Sequence, residues 1–317
     1  MNYGRSGTVK LTKITLTIAT AAALMATAAC GNSGGDPLAT TSSSSSGGAA
    51  SGTIKVGSAD FPESALLAEI YAGALEAKGV KVEKKLNIGA REAYIPALQD
   101  GSIDLIPEYT GVLRDYFKKG QTGTDAEAVY TELKASVPAT LTVLDKSAAE
   151  DKDALVMKKS RADELGVKSI ADLAGKADKL TVGGPPEWKT RDTGIPGFKK
   201  IYGLEFKAFR PLDAGGPLTL AALKNGQIDA GDLFTTDPSI AANDLVALED
   251  PKSMYAAQNV VPLITKSKSN PTIEGALNAV SAKLDTASLS ALLTEVVVNK
   301  KDADVVAKEF LTKNGLA

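Results

Sequence analysis

A short internal echo constrains this chain more than any other feature. Ala97-Leu98-Gln99-Asp100-Gly101-Ser102-Ile103-Asp104 returns as Ala222-Leu223-Lys224-Asn225-Gly226-Gln227-Ile228-Asp229, sharing Ala-Leu-x-x-Gly-x-Ile-Asp. In both copies a helical pattern meets a glycine stop and then a strand-like run. The surroundings repeat as well. Before the first copy stand a strand pattern at Ile54–Val56, a helical one at Leu66–Leu75 stopped by Gly79, and a strand at Val80–Leu86. Its own helix is Glu92–Asp100 and its closing strand Ile103–Ile106. Before the second stand Leu180–Val182, Phe198–Tyr202 and Phe206–Phe209, and it continues as helix Leu218–Asn225 and strand Ile228–Leu233. Two β-α-β-α-β units of like order predict an α/β fold of two similar lobes. Asp60 with Glu63 three places on predicts a capping box, and Pro62 suits a first helical turn.

The tail has helical spacing at Ala276–Leu284, Leu289–Val297 and Val305–Phe310, and those helices need a surface. If the apolar run Asn259–Thr265 carries the chain back to the first lobe, they pack there. With an outward crossing near Ala154–Met157, two lobes and two crossing segments make a hinge and a cleft. The expected division is 53–152 with 259–317 as lobe 1 and 153–258 as lobe 2.

The N-terminus is expected to be an export signal. Arg5, Lys10 and Lys13 precede the uncharged run Ile14–Ala29, and Cys30 follows. That run is shorter than the ~20 residues a bilayer helix needs. Cysteine after Ala28-Ala29 resembles a lipoprotein signal whose thiol is acylated, although Thr27 stands where leucine is usual; Ala26-Thr27-Ala28 also suits an ordinary signal peptidase. Residues 30–52, rich in Ser and Gly, have too little apolar bulk for a core and are expected to be a tether.

Composition removes several function classes. The formal charge is −2, and losing the three basic leader residues makes the remainder more acidic, so no nucleic-acid partner is expected. One cysteine allows no internal disulfide. With His at 0, His-ligated zinc sites and Ser-His or Cys-His nucleophile pairs are excluded. Neither phosphate-loop glycine pattern occurs, and no cofactor is expected. An enzyme built on paired carboxylates is the weakest reading.

In α/β lobes the loops after strands face the cleft. Here they hold Ser58–Phe61, Pro107–Gly111, Gly183–Trp188 and Asp232–Asp237. Tyr109 is either an aromatic face in the cleft or a ring half-buried at a sheet edge. Trp188, the one tryptophan, is a cleft aromatic or loop packing. Arg191 suits a bidentate grip on a carboxylate, or a salt bridge. Phe234 is cleft or core, and Asp60 joins the candidates.

At these loops the chain resembles the osmoprotectant (glycine betaine/choline) substrate-binding proteins of ABC importers. The likeness lies in Val56–Phe61 with Glu63, Lys85–Gly89, and Gly101–Asp104 through Pro107-Glu108-Tyr109-Thr110-Gly111, then Ile170–Leu173, Tyr202–Leu204 and Thr236-Asp237. It implies a two-lobed type II periplasmic-binding-protein fold closing on a small solute, an ABC permease as partner, attachment to the cell membrane through lipid on Cys30, and a monomer. It also implies a cage of aromatic rings around a quaternary ammonium, held by cation–π attraction. On that pattern Tyr109 keeps a cage tyrosine, Arg191 the carboxylate arginine, and Phe234 a ring without its hydroxyl. Asp153 and Gln258 replace two further tyrosines. Asp153 therefore points to a cationic or zwitterionic ligand of the glycine betaine/choline type, which need not be glycine betaine itself. A sensor of the same fold without a transporter is the rival reading.

Overall fold

The computed structural model describes residues 52–120 and 123–317. The leader, Cys30 and most of the tether therefore lie outside the described residues. Ten strands follow in chain order: β1 (Ile54–Gly57), β2 (Val82–Lys85), β3 (Leu105–Tyr109), β4 (Leu141–Val143), β5 (Asp153–Lys158), β6 (Thr181–Gly184), β7 (Ala208–Pro211), β8 (Ala230–Phe234), β9 (Leu245–Ala247) and β10 (Val260–Thr265). They form two five-stranded sheets of matching order, β2-β1-β3-β10-β4 and β7-β6-β8-β5-β9. In each, three neighbouring strands pair in parallel and the fourth in the order joins antiparallel, β10 on β3 and β5 on β8, so that it alone runs against the other four.

The echo has a structural cause. Gly101 and Gly226 both take left-handed φ, +78° and +65°, ending their helices where a side chain would be strained. Three residues on, Asp104 and Asp229 do the same job in each sheet. The Asp104 carboxylate accepts the Lys55 backbone N–H at 2.9 Å, and Asp229 accepts that of Thr181 at 2.9 Å. The repeated Ile-Asp thus fastens the third strand of each unit to the first.

Each lobe has its own apolar core. In the first, the helix Pro62–Glu76 buries Leu66, Leu67, Ile70, Tyr71 and Leu75 beneath the tail helices Pro271–Ser281, Thr286–Leu293 and Ala303–Lys313. In the second, Leu155, Met157, Ile170, Val182 and Phe198 are buried together. None of the described helices is long and apolar enough to cross a membrane.

Three local expectations are corrected. Ala154–Met157 are not a crossing: they sit in β5, paired to β8 in the second sheet. The chain crosses outward just before, through 144–152, and returns between β9 and β10. The two crossing segments touch in a Glu150–Asn259 bridge and an Asp151 N–H bond to the Gln258 carbonyl at 3.1 Å. Asp60 and Glu63 form no capping box, because Phe61 is the N-cap and no side chain caps it. Tyr109 and Phe234 end strands β3 and β8 rather than lying in loops.

Candidate functional site

A cavity of about 420 Å³ lies between the sheets, where the ends of β3, β5, β6 and β8 meet. Both lobes line it: Phe61, Arg91, Tyr94 and Tyr109 from the first, Asp153, Arg191, Asp232 and Phe234 from the second. Tyr109 ends a central strand, not an edge, so its ring is only 6% exposed. Asp153 and Phe234 are cross-strand partners on β5 and β8, which sets them side by side on the cleft face. Two residues before Phe234 in the same strand, Asp232 faces the same way.

The aromatic surface spans both lobes. Phe61 stands 6.2 Å from Tyr109 and 5.0 Å from Phe234, centroid to centroid. Gly215, at φ +61°, lies against the Phe234 ring, where a Cβ would come within 2.5 Å of it. Tyr94 adds a fourth ring, its hydroxyl donating to Glu108 at 2.7 Å. Phe61 and Tyr94 were not among the sequence candidates. Phe61 sat in the right loop, and Tyr94 read only as a helix position.

The two arginines of the cleft are already engaged. Arg91 donates from Nε and Nη2 to the two Glu108 oxygens at 2.7 and 2.8 Å, inside the first lobe. Burial works against its charge, but the Glu108 carboxylate outweighs that and holds its pKa above the ordinary value. Arg191 reaches across to the first lobe and takes Glu92 bidentately at 3.1 and 2.6 Å. Half-burial alone would raise the Glu92 carboxyl, and the Arg191 bond and charge bring it below its usual value. In this structure Arg191 therefore acts as an interlobe clasp.

The acids are less well satisfied. Gln258 donates to one Asp153 oxygen at 3.1 Å, and burial pushes the Asp153 carboxyl up. Asp232 is 1% exposed, and neither oxygen has a hydrogen-bond partner among the described residues. Burial raises its pKa well above the usual value, and the Asp153 charge adds to the rise. Asp60 is exposed at the rim.

Trp188 is the clear correction. It is 1% exposed, packs its edge on Phe198 with centroids 5.7 Å apart, and belongs to the second core rather than the cleft wall. The loop Pro186–Lys189 turns its indole inward, against Gly184, and tryptophan's large apolar area makes that burial favourable.

A second polar cluster, joined to the cavity through Tyr109, ties the lobes. Glu63 accepts from Tyr109 Oη at 2.6 Å and from Thr236 Oγ1 at 2.7 Å. Asp151, on the outward crossing, accepts from the Thr236 N–H at 3.0 Å and Thr235 Oγ1 at 3.1 Å. Burial raises both carboxyls, and for Asp151 the Glu63 charge raises it further.

Comparison with known proteins fits this geometry. The family described as the substrate binding domain of ABC-type glycine betaine transport systems matches residues 52–313. A glycine-betaine-binding protein of Pseudomonas aeruginosa is 28% identical over 83% of this chain and 88% of its own length. The glycine betaine-binding protein YehZ of Escherichia coli is 28% identical over 84% and 92%. A solved glycine betaine/carnitine/choline ABC transporter structure superposes with a TM-score of 0.64 at 24% identity, over 83% of this chain and 99% of that one. The fold is thus the two-lobed type II periplasmic-binding-protein arrangement.

Proposed function

The chain belongs to the family of substrate-binding domains of ABC-type glycine betaine transport systems, and from that premise we propose that it captures a small cationic or zwitterionic solute in the cleft between the sheets. It is a binding protein for ABC import and not an enzyme. Residues 53–152 with 259–317 act as one lobe and 153–258 as the other. Lobe closure is the mechanism: a ligand touching both lobes shifts the open–closed equilibrium by its preference for the closed form. The carrying observation is the aromatic surface shared by the lobes, with Phe61 and Tyr109 on one side and Phe234 on the other. A methylated ammonium donates no strong hydrogen bonds, and such faces hold it at ~0.5–2 kcal/mol each.

Tyr109, Phe234, Asp153, Gln258 and Asp60 are the proposed ligand contacts, with Arg191 closing the mouth. The protein works as a monomer, anchored to the outer face of the membrane by lipid on Cys30, and hands its solute to a membrane permease. Acylation is tested by mass spectrometry of the N-terminal peptide from parent and Cys30→Ala cells.

Function is tested by thermal shift of residues 31–317 against glycine betaine, proline betaine, choline, carnitine, ectoine, polyamines, basic amino acids and polyols. A ligand at 100 times its Kd adds ~2.7 kcal/mol, a shift of several degrees for a chain of this size. No shift from any cationic or zwitterionic member of the panel would overturn the proposal.

A further inference from the structure

The charge arrangement of the cleft goes beyond an aromatic cage, and the argument rests on the solute-capture reading above. Its two guanidinia are both held bidentately by the protein's own carboxylates, Arg91 by Glu108 and Arg191 by Glu92. Each therefore has its Nε–Nη2 edge taken and its charge already paired, and only the Nη1 side is left for a ligand. The acids stand the other way round. Asp232 is 1% exposed, lines the cavity, and keeps both oxygens without a partner among the described residues. A buried acceptor left like this is costly unless something donates to it. Asp153 lies on the neighbouring strand of the same face, with Gln258 bonded to only one of its oxygens.

We infer that Asp232, with Asp153 beside it, is the specificity determinant of the cleft, and that the solute is a net cation with an O–H or N–H donor and no carboxylate. The rings of Tyr109, Phe61 and Phe234 take the methylated ammonium, and the donor reaches Asp232. A zwitterion of the same size would bring its carboxylate towards two acids and find both arginine charges already paired with protein carboxylates. Burial of Asp232 and the Asp153 charge both favour its protonated form in the empty cleft. A bound cation reverses that preference, so binding releases a proton.

Choline and glycine betaine make a suitable pair of probes, since both carry trimethylammonium and they differ in hydroxyl against carboxylate. Their affinities are measured by titration calorimetry for the parent, Asp232→Asn and Asp153→Asn proteins, in two buffers of different ionisation enthalpy. The parent is expected to bind choline at least about tenfold more tightly than glycine betaine, with proton release on choline binding. Asp232→Asn loses about tenfold or more of the choline affinity, the worth of a charge-assisted hydrogen bond, and its preference falls to within about threefold. Asp153→Asn is expected to shift the preference the same way by a smaller factor. The unliganded Asp232→Asn protein melts at or above the parent, because a buried acid without a hydrogen-bond partner is gone; this separates specificity from loss of fold. Tighter binding of glycine betaine by the parent, or an unchanged ratio in Asp232→Asn, overturns this inference alone. Binding of neither probe overturns this inference, and the solute-capture reading falls with it when the wider panel of cationic and zwitterionic solutes gives no thermal shift either.

Discussion

Glu63 and Thr236 meet across the two lobes, the Thr236 hydroxyl donating to Glu63 Oε2 at 2.7 Å where neither side chain is exposed to water. Glu63 lies in the first turn of the helix Pro62–Glu76, and Thr236 follows β8. The contact joins the first lobe to the second beside the crossing segment that holds Asp151. Thr236→Val keeps the shape and removes the donor, so the closed form loses ~0.5–1.5 kcal/mol. Ligand affinity is expected to fall about two- to tenfold. The radius of gyration of the unliganded protein, measured by X-ray scattering, rises. Unchanged scattering and affinity would show that closure does not depend on this bond.

The same cluster predicts how stability follows pH. Glu63, Asp151, Asp153 and Asp232 all have carboxyl pKa values raised by burial. The folded state therefore holds their protons more tightly than the unfolded chain, whose values are the ordinary 3.8 for Asp and 4.5 for Glu. Their stabilisation is fully present below those ordinary values and is lost as pH rises through the raised ones. The exposed acids with lowered values, such as Asp100 and Asp172, change stability only below the ordinary range. The unliganded protein is thus expected to melt progressively lower as pH rises from the ordinary carboxylate values towards neutrality, more shallowly in Asp232→Asn. A melting temperature that climbs over this interval contradicts the account.

Arg191 and Glu92 give a test whose sign separates two roles. As a clasp, the pair is half in solvent, with side-chain exposures of 26% and 47%, and is worth ~0.2–1 kcal/mol after screening. Glu92→Gln then weakens ligand binding about two- to fivefold at low salt, and the difference fades near 0.5 M salt. Were Arg191 the ligand's carboxylate grip instead, freeing it from Glu92 would tighten binding of a zwitterion.

Much of this architecture was legible because its signals are local. Glycine stops at Gly101 and Gly226, with Ile-Asp after each, mark the same helix-to-strand join in both lobes, and periodicity gave the other elements of the two repeated units and the tail helices, but not the helices between β3 and β4 or the strands β4 and β9. What stayed hidden depends on contacts distant in sequence. Glu63 looked like half of a capping box, yet its partner lies 173 residues away. Arg191 looked ready for a ligand, and only the folded chain brings Glu92 to it. The direction of Trp188 follows from how the loop after β6 turns, which composition does not reveal. Asp232 did leave a trace: an acid inside the otherwise apolar run Ala230–Phe234 is unusual enough in a buried strand to mark a site.

Tyr109 combines two functions that substitutions can separate. Its ring faces the cleft, and its hydroxyl donates to Glu63 at 2.6 Å. Tyr109→Phe keeps the face and leaves a buried acceptor short of one donor, so it is expected to lower stability by ~1–3 kcal/mol while keeping most of the affinity for a methylated ammonium. Tyr109→Ala removes the face as well and should cost a further ~0.5–2 kcal/mol of binding, up to about thirtyfold. Equal affinities for the two variants would mean that the ring does not touch the ligand.

Trp188 supplies an optical version of the same question. It is the one tryptophan, 1% exposed and packed on Phe198 in the second core. Emission from an indole in such apolar surroundings is blue-shifted and resists acrylamide quenching. Because the ring does not line the cleft, saturating ligand should move the emission maximum by no more than about 2 nm, whereas a cage tryptophan would be covered on binding and shift strongly. Trp188→Ala is expected to cost ~3–5 kcal/mol of stability, the range for deleting a large buried aromatic. Trp188→Phe refills much of the space and should cost less, with ligand affinity near the parent's. A large ligand-induced shift, or a Trp188→Phe protein that folds normally and no longer binds, would return Trp188 to the cleft wall.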